Sequence, residues 1–123
     1  MKGFKTNIEK DTVDNEFYRK VLYTGKKMQL VVMSLKVGDD IPSEVHPDID
    51  QFIRVETGKA LVTIDGNEMT LEDDDIVIVP AGSEHYVKNS GDKPLKIYTI
   101  YTPPEHPDGT VHKTREEALE HEH

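Results

Sequence analysis

Short runs of strand-forming residues, each closed by a turn signal, organise most of this chain. Residues 17–23 and 28–37 are rich in Val, Leu and Tyr, with Thr24-Gly25-Lys26 as the turn between them. Four more short strands are predicted over 51–56, 60–64, 68–71 and 76–79, punctuated by Gly58, Asp65-Gly66 and the acidic residues 73–75. Asp65-Gly66 is a strong two-residue hairpin signal, because such a turn needs positive φ and glycine supplies it without strain. Pro80-Ala81-Gly82 marks another tight turn, and strands over 84–88 and 95–102 follow it. Residues 38–50 read as a polar loop, since Ile41-Pro42 and His46-Pro47 do not suit a central strand.

Eight or so short strands with no convincing helix between them predict an all-β, antiparallel sandwich or barrel. Residues 1–15 are polar and read as an N-terminal arm or an irregular first strand, 16–104 as the barrel, and 105–123 as a C-terminal tail. Within that tail, Thr114 and Glu117 have capping-box spacing ahead of Ala118 and Leu119, which predicts a short helix.

A length of 123 residues suits one domain, with room for a packed core and one small ligand. Charged residues make up 32% and the net charge is −9, which argues against nucleic acid and anionic membranes as partners. No stretch approaches the roughly 20 apolar residues of a membrane span, and residues 1–10 lack the apolar run of a secretory signal. The plain expectation is a soluble, cytoplasmic protein. With no cysteine, any metal site must be built from imidazole, carboxylate or amide groups.

Glu44 and His46 are two apart, so in an extended segment they point to one side. Gln51 starts the strand after them, and His85 starts another strand just beyond the Pro80-Ala81-Gly82 turn. Spacing alone does not make them converge. The pattern around them does resemble a known family. Gly38-(x5)-Glu44-x-His46-(x4)-Gln51-(x6)-Gly58 resembles the first cupin motif, usually G-(x5)-H-x-H-(x3–4)-E-(x6)-G. Pro80-x-Gly82-(x2)-His85-(x3)-Asn89 resembles the second, G-(x5)-P-x-G-(x2)-H-(x3)-N, with Asp74 in place of its first Gly. Every spacing is kept, and only fifteen residues separate Gly58 from Asp74, as in compact single-domain bacterial cupins.

The resemblance implies a jelly-roll β-barrel holding one divalent metal ion on Glu44, His46, Gln51 and His85. It also exposes an exchange. Glu44 stands where the family's first His is usual, and Gln51 where its Glu is usual. The ligand set keeps its formal charge of −1 but changes from three imidazoles and a carboxylate to two imidazoles and two oxygens. That donor set suits Mn²⁺, Fe²⁺, Zn²⁺ or Ni²⁺. Some cupins acting on sugar acids resemble this chain in using Gln at the third position.

Four protein ligands leave open positions on a five- or six-coordinate ion, where a substrate oxygen can be polarised or a water activated. The expected activity is therefore Lewis-acid chemistry on a small oxygen-rich substrate (a sugar, sugar acid or keto acid), of isomerase or lyase type. A metal-dependent dioxygenase and a non-enzymatic module that binds a small ligand or metal are the alternatives. Small cupins resemble one another in pairing barrels, so a homodimer is expected.

The remaining candidates have plainer readings. Gly38, Gly58 and Gly82 are turn residues and Pro80 stiffens its turn. Asn89 is expected to tie a turn, and 72–75 to be a solvated acidic turn rather than a calcium site. His106 and His112 read as surface residues beyond the barrel, and His121 and His123 as a poor terminal metal site. Gln51, Ile53 and Val55 share one strand face, and His85 and Val87 another, so the interior beside the metal is partly apolar. Tyr98 and Tyr101 lie on opposite faces of the last strand; whichever points inward is a candidate acid, base or substrate hydrogen-bond partner.

Overall fold

A computed structural model describes residues 2–121. His123 lies outside the described residues, as does the side chain of His121. The chain runs α1 (Ile8–Asp14), β1 (Arg19–Thr24), β2 (Gln29–Leu35), β3 (Asp40–Val45), β4 (Asp50–Thr57), β5 (Ala60–Ile64), β6 (Asn67–Leu71), β7 (Ile76–Val79), β8 (Glu84–Asn89), β9 (Leu95–Thr102), β10 (Val111–His112) and α2 (Arg115–His121). Two antiparallel sheets form, one ordered β10-β1-β2-β9-β4-β7 and the other β3-β8-β5-β6. This is the expected all-β jelly-roll barrel with a short C-terminal helix.

Alternation along the strands makes the core. Val31, Met33 and Leu35 of β2, Ile53 and Val55 of β4, and Leu95 and Ile97 of β9 are all buried on the inner face of the larger sheet. They meet Ile41, Ala60, Val62 and Val87 of the smaller one within a single apolar cluster. Burying each of these side chains except Ala60 stabilises the fold by roughly 1.5–3 kcal/mol, before the entropy of ordering it is subtracted.

Turns set the strand lengths. Asp65 and Gly66 take φ of 48° and 84°, the doubly positive geometry a tight hairpin needs between β5 and β6. Gly58, at φ 115°, is required for a second reason: a Cβ there would sit 3.0 Å from Leu95 Cα. Asp74, in the place of the motif's first glycine, takes φ 72°, and its carboxylate accepts from Arg54 at 3.0 Å. The exchange is tolerated because Asp is one of the few side chains that visits this region readily. The acidic run 72–75 is a turn as expected: Asp73 accepts from Gly58 N–H and Asp75 from Glu72 N–H, each at 2.9 Å.

Three parts differ from the sequence reading. Residues 38–50 are not all loop, because β3 forms there and pairs with β8. Pro42 is accommodated because β3 is an edge strand and its register shifts between Ile41 and Glu44, so no ladder donor is missed. The N-terminal arm carries a helix in place of an irregular strand. Asn7 caps α1 by accepting from Lys10 N–H at 3.0 Å, and the helix packs against β2, β4 and β9. Its buried residue is Thr12, whose hydroxyl is satisfied by Ile8 carbonyl at 2.6 Å, so no apolar stripe announces the helix. The tail adds β10 to the larger sheet, with His112 opposite Arg19. It also forms the expected helix, with Glu117 N–H donating to Thr114 Oγ1 at 3.1 Å.

Candidate metal centre

Three of the four expected ligands meet at one end of the barrel. β3 and β8 pair so that Glu44 stands directly opposite His85. His46 lies one residue beyond β3, where Gly82 N–H donates to its carbonyl at 2.9 Å. That bond is why the turn matters. Gly82, at φ 87°, folds the chain so that the turn before β8 holds the backbone of His46 beside His85. One ligand atom from each of Glu44, His46 and His85 lies within 4.8 Å of the others, a group that can hold a metal ion.

The rings are oriented by their outer nitrogens. His85 Nδ1 is 3.3 Å from the carbonyl oxygen of Ser83, which only accepts, so Nδ1 carries the proton. His46 Nδ1 is 3.3 Å from Glu105 Oε2. Both Nε2 atoms consequently turn inward, to 3.1 Å (His46) and 3.6 Å (His85) from Glu44 Oε1. Burial acts to raise the Glu44 carboxyl, but with no cation bound and both rings protonated on both nitrogens, hydrogen bonds and charge from His46 and His85 outweigh it and hold the group at about 2. Glu44 is therefore a carboxylate at neutral pH, the form that ligates a cation.

Gln51, near the start of β4, is 3% exposed. Its Nε2 donates to Thr99 Oγ1 at 3.1 Å, while its Oε1 is buried with no hydrogen-bond partner among the described residues. A buried amide oxygen left over in this way costs about 1–3 kcal/mol unless something electropositive meets it. Two inward Nε2 atoms and an ionised carboxylate form a donor group that fits a divalent ion of the Mn²⁺, Fe²⁺, Zn²⁺ or Ni²⁺ kind.

The two tyrosines separate. Tyr98 lies on the outer face, its ring 6.0 Å from Phe52. Tyr101 points inward, is 2% exposed and meets the His46 ring edge-on at 6.0 Å. Burial holds its phenol well above the ordinary range, so the hydroxyl keeps its proton at any working pH. Asn89 is structural, as expected: its amide donates to Leu35 and Lys93 carbonyls at 3.0 and 2.9 Å, and its oxygen accepts from Gly91 N–H at 2.9 Å.

His112 is buried rather than on the surface, and His106 is half-buried. The His106 ring packs edge-on against Tyr101 at 5.2 Å, with Nε2 3.5 Å from the phenol oxygen. Desolvation, helped by the Arg19 charge, pushes it down to about 3, so it is neutral at pH 7. His112 is buried on β10, with Nδ1 3.2 Å from Nη1 of the fully buried Arg19. Both histidines were misread for one reason: residues 103–112 fold back against the barrel end. Sequence reasoning also missed Arg19, Gln29 and Glu105 near this end. The available signal was the density of ionisable residues in 105–112, a stretch stiffened by Pro107 and preceded by Pro103-Pro104.

Comparison with known proteins agrees with this fold. The cupin domain family matches residues 31–101, and the chain belongs to that family. The crystal structure of BH2720 from Bacillus halodurans superposes with a TM-score of 0.94 at 44% identity, covering 95% of this chain and 93% of that one. YrkC of Bacillus subtilis (strain 168) is 44% identical over 124 residues, 96% of this chain and 67% of its own length. A shorter match, 36% over 78 residues, reaches the quercetin 2,3-dioxygenase of Bacillus subtilis; it covers 63% of this chain and 23% of that enzyme. Among the described residues, no helix is long and apolar enough to cross a membrane.

Proposed function

We propose that this cupin is a metal-dependent enzyme that holds one divalent ion on Glu44, His46, Gln51 and His85 and acts on a small, oxygen-rich substrate such as a sugar, sugar acid or keto acid. The observation that carries the reading is the meeting of Glu44, His46 and His85 ligand atoms within 4.8 Å, beside an inner strand whose Gln51 carbonyl oxygen has no protein donor among the described residues. When bound, the ion supplies Lewis acidity toward a substrate oxygen.

The chain's own groups contribute the rest. Glu44 and Gln51 give the site oxygen donors, and Glu44 lowers its net charge. Thr99 fixes the Gln51 amide by accepting from its Nε2, which leaves the carbonyl oxygen for the ion. Tyr101, protonated and edge-on to His46, suits donating a hydrogen bond to a substrate oxygen while keeping its proton. It does not suit proton abstraction, because its phenolate is strongly disfavoured. Isomerase or lyase chemistry fits this pairing of electrophile and protonated phenol.

A second reading, a metal-dependent dioxygenase, is favoured by the stretch resembling quercetin 2,3-dioxygenase. Metal analysis combined with oxygen-uptake measurements separates the two. A redox-silent ion, no oxygen consumption and turnover of a compound from a sugar-acid panel support the first reading; oxygen consumption with an iron-loaded protein supports the second. A protein that binds an ion but turns over nothing is a binding module. A homodimer is the expected assembly, supported by Ile76 and Ile78 standing 48% and 58% exposed on edge strand β7. Light scattering tests it.

A further inference from the structure

The segment after β9 carries contacts to the site that the cupin motifs do not include. Gln29, fully buried on β2 and in register with Tyr101 across the sheet, grips the backbone of this segment. Its Oε1 accepts from the N–H groups of Glu105 and His106 at 3.2 and 3.0 Å, and its Nε2 donates to His106 carbonyl at 2.7 Å. A second donation from Nε2, to Thr24 Oγ1 at 2.9 Å, ties the grip to the end of β1. Gln29 thus has both amide atoms engaged, and residues 105–106 are held as firmly as a strand although they belong to none.

The side chains so placed face two groups of the centre. Glu105 Oε2 sits 3.3 Å from His46 Nδ1, and the His106 ring stands edge-on to Tyr101. A carboxylate behind an imidazole selects the form with Nδ1 protonated, aims Nε2 at the opposite side and raises the ring's donor strength. His85 takes the corresponding support from the Ser83 carbonyl, a neutral acceptor. The two imidazoles are therefore backed unequally, and the stronger backing comes from a side chain outside both motifs.

We propose that Glu105 is a positioning residue for the metal centre, holding His46 in its Nδ1-protonated form with Nε2 toward the ion, and that Gln29 holds Glu105 in place to do so. The inference rests on the metal reading above for its functional meaning, but its geometry stands without it. Removing such a partner typically weakens metal binding about 10–100-fold.

The test compares wild type, Glu105→Ala, Glu105→Gln and Gln29→Leu. Zinc affinity is measured by competition with a chromophoric chelator, and the His46 ring by ¹H–¹⁵N NMR with and without zinc. Glu105→Ala should bind zinc about 10–100-fold more weakly and lose the exchange-protected Nδ1–H signal of His46, with its melting temperature nearly unchanged. Glu105→Gln, which keeps an acceptor but not the charge, should fall between. Gln29→Leu should weaken zinc binding in the same direction. The proposal is overturned if Glu105→Ala keeps wild-type zinc affinity and the protected signal. If wild type takes up no zinc, the metal reading fails, and the NMR comparison in the zinc-free protein still decides whether Glu105 holds the ring.

Discussion

Two buried amides, Asn89 and Gln51, stand toward opposite ends of the barrel and are treated in opposite ways. Asn89, at the end of β8 remote from His85, uses its oxygen once and its nitrogen twice, always on backbone groups, one at the end of β2 and two in the turn that follows β8. Gln51, in register with Tyr101 across the sheet, has its nitrogen held by Thr99 and its oxygen left over among the described residues. Both are nearly inaccessible, at 2% and 3%. A protein interior rarely leaves an amide oxygen unmet, and under the proposed function the difference separates a residue that serves the fold from one that serves a ligand.

Replacing either histidine should break the Gln51 end most severely. His85→Ala or His46→Ala is expected to reduce bound metal from one ion per chain to none, read by elemental analysis after dialysis, while the barrel still folds. Next in size is Asn89→Ala, which strands three backbone groups. At roughly 1 kcal/mol for each lost bond, unfolding in urea should show a loss of about 3 kcal/mol, with metal content unchanged. A drop in metal content without loss of stability would reverse the roles assigned to the two ends.

Acid should act on the ligand end in two windows, and also at the Asn89 end, where burial is outweighed by hydrogen bonds from Tyr86 and Arg115 that hold the Asp40 carboxyl below its ordinary value. His106 is held at about 3 when folded and has an ordinary value of 6.5. The unfolded chain therefore binds more protons between those values, and stability falls as pH drops below about 6.5. Glu44, held at about 2 against an ordinary 4.5, adds its loss only below the latter value. Urea midpoints at pH 7.5, 6.5, 5.5 and 5.0 isolate the first window, and His106→Gln should flatten it. The smallest expected effect on stability is that of Gln51→Met, which removes one bond to Thr99 and one unmet oxygen together. Its metal-free stability should stay within about 1 kcal/mol of wild type, while metal affinity falls.

The same contrast explains what the sequence discloses. Both cupin motifs concern turns and strand starts, so the resemblance to them, rather than spacing by itself, located His46, His85 and the glycines that fold them together. The alternating strands were legible because their inner positions are Val, Ile and Leu. Parts that rest on polar burial were not. Helix α1 buries a threonine, β3 contains a proline made harmless by an edge position and a register shift, and β10 is two residues long. His106 and His112 look like loop histidines until Gln29 and Arg19, distant in sequence, are found against them. Tyr98 and Tyr101 could be told apart only once one face of β9 was known to be covered by the opposite sheet.

The central claim is that Gln51 leaves its carbonyl oxygen for an ion shared with Glu44, His46 and His85. A crystal structure of the metal-loaded protein with anomalous scattering tests it most directly. One anomalous peak is expected, in contact with Glu44, His46 Nε2, His85 Nε2 and Gln51 Oε1. An ion bound elsewhere, or Gln51 Oε1 found accepting from a protein donor with the site loaded, would contradict the account.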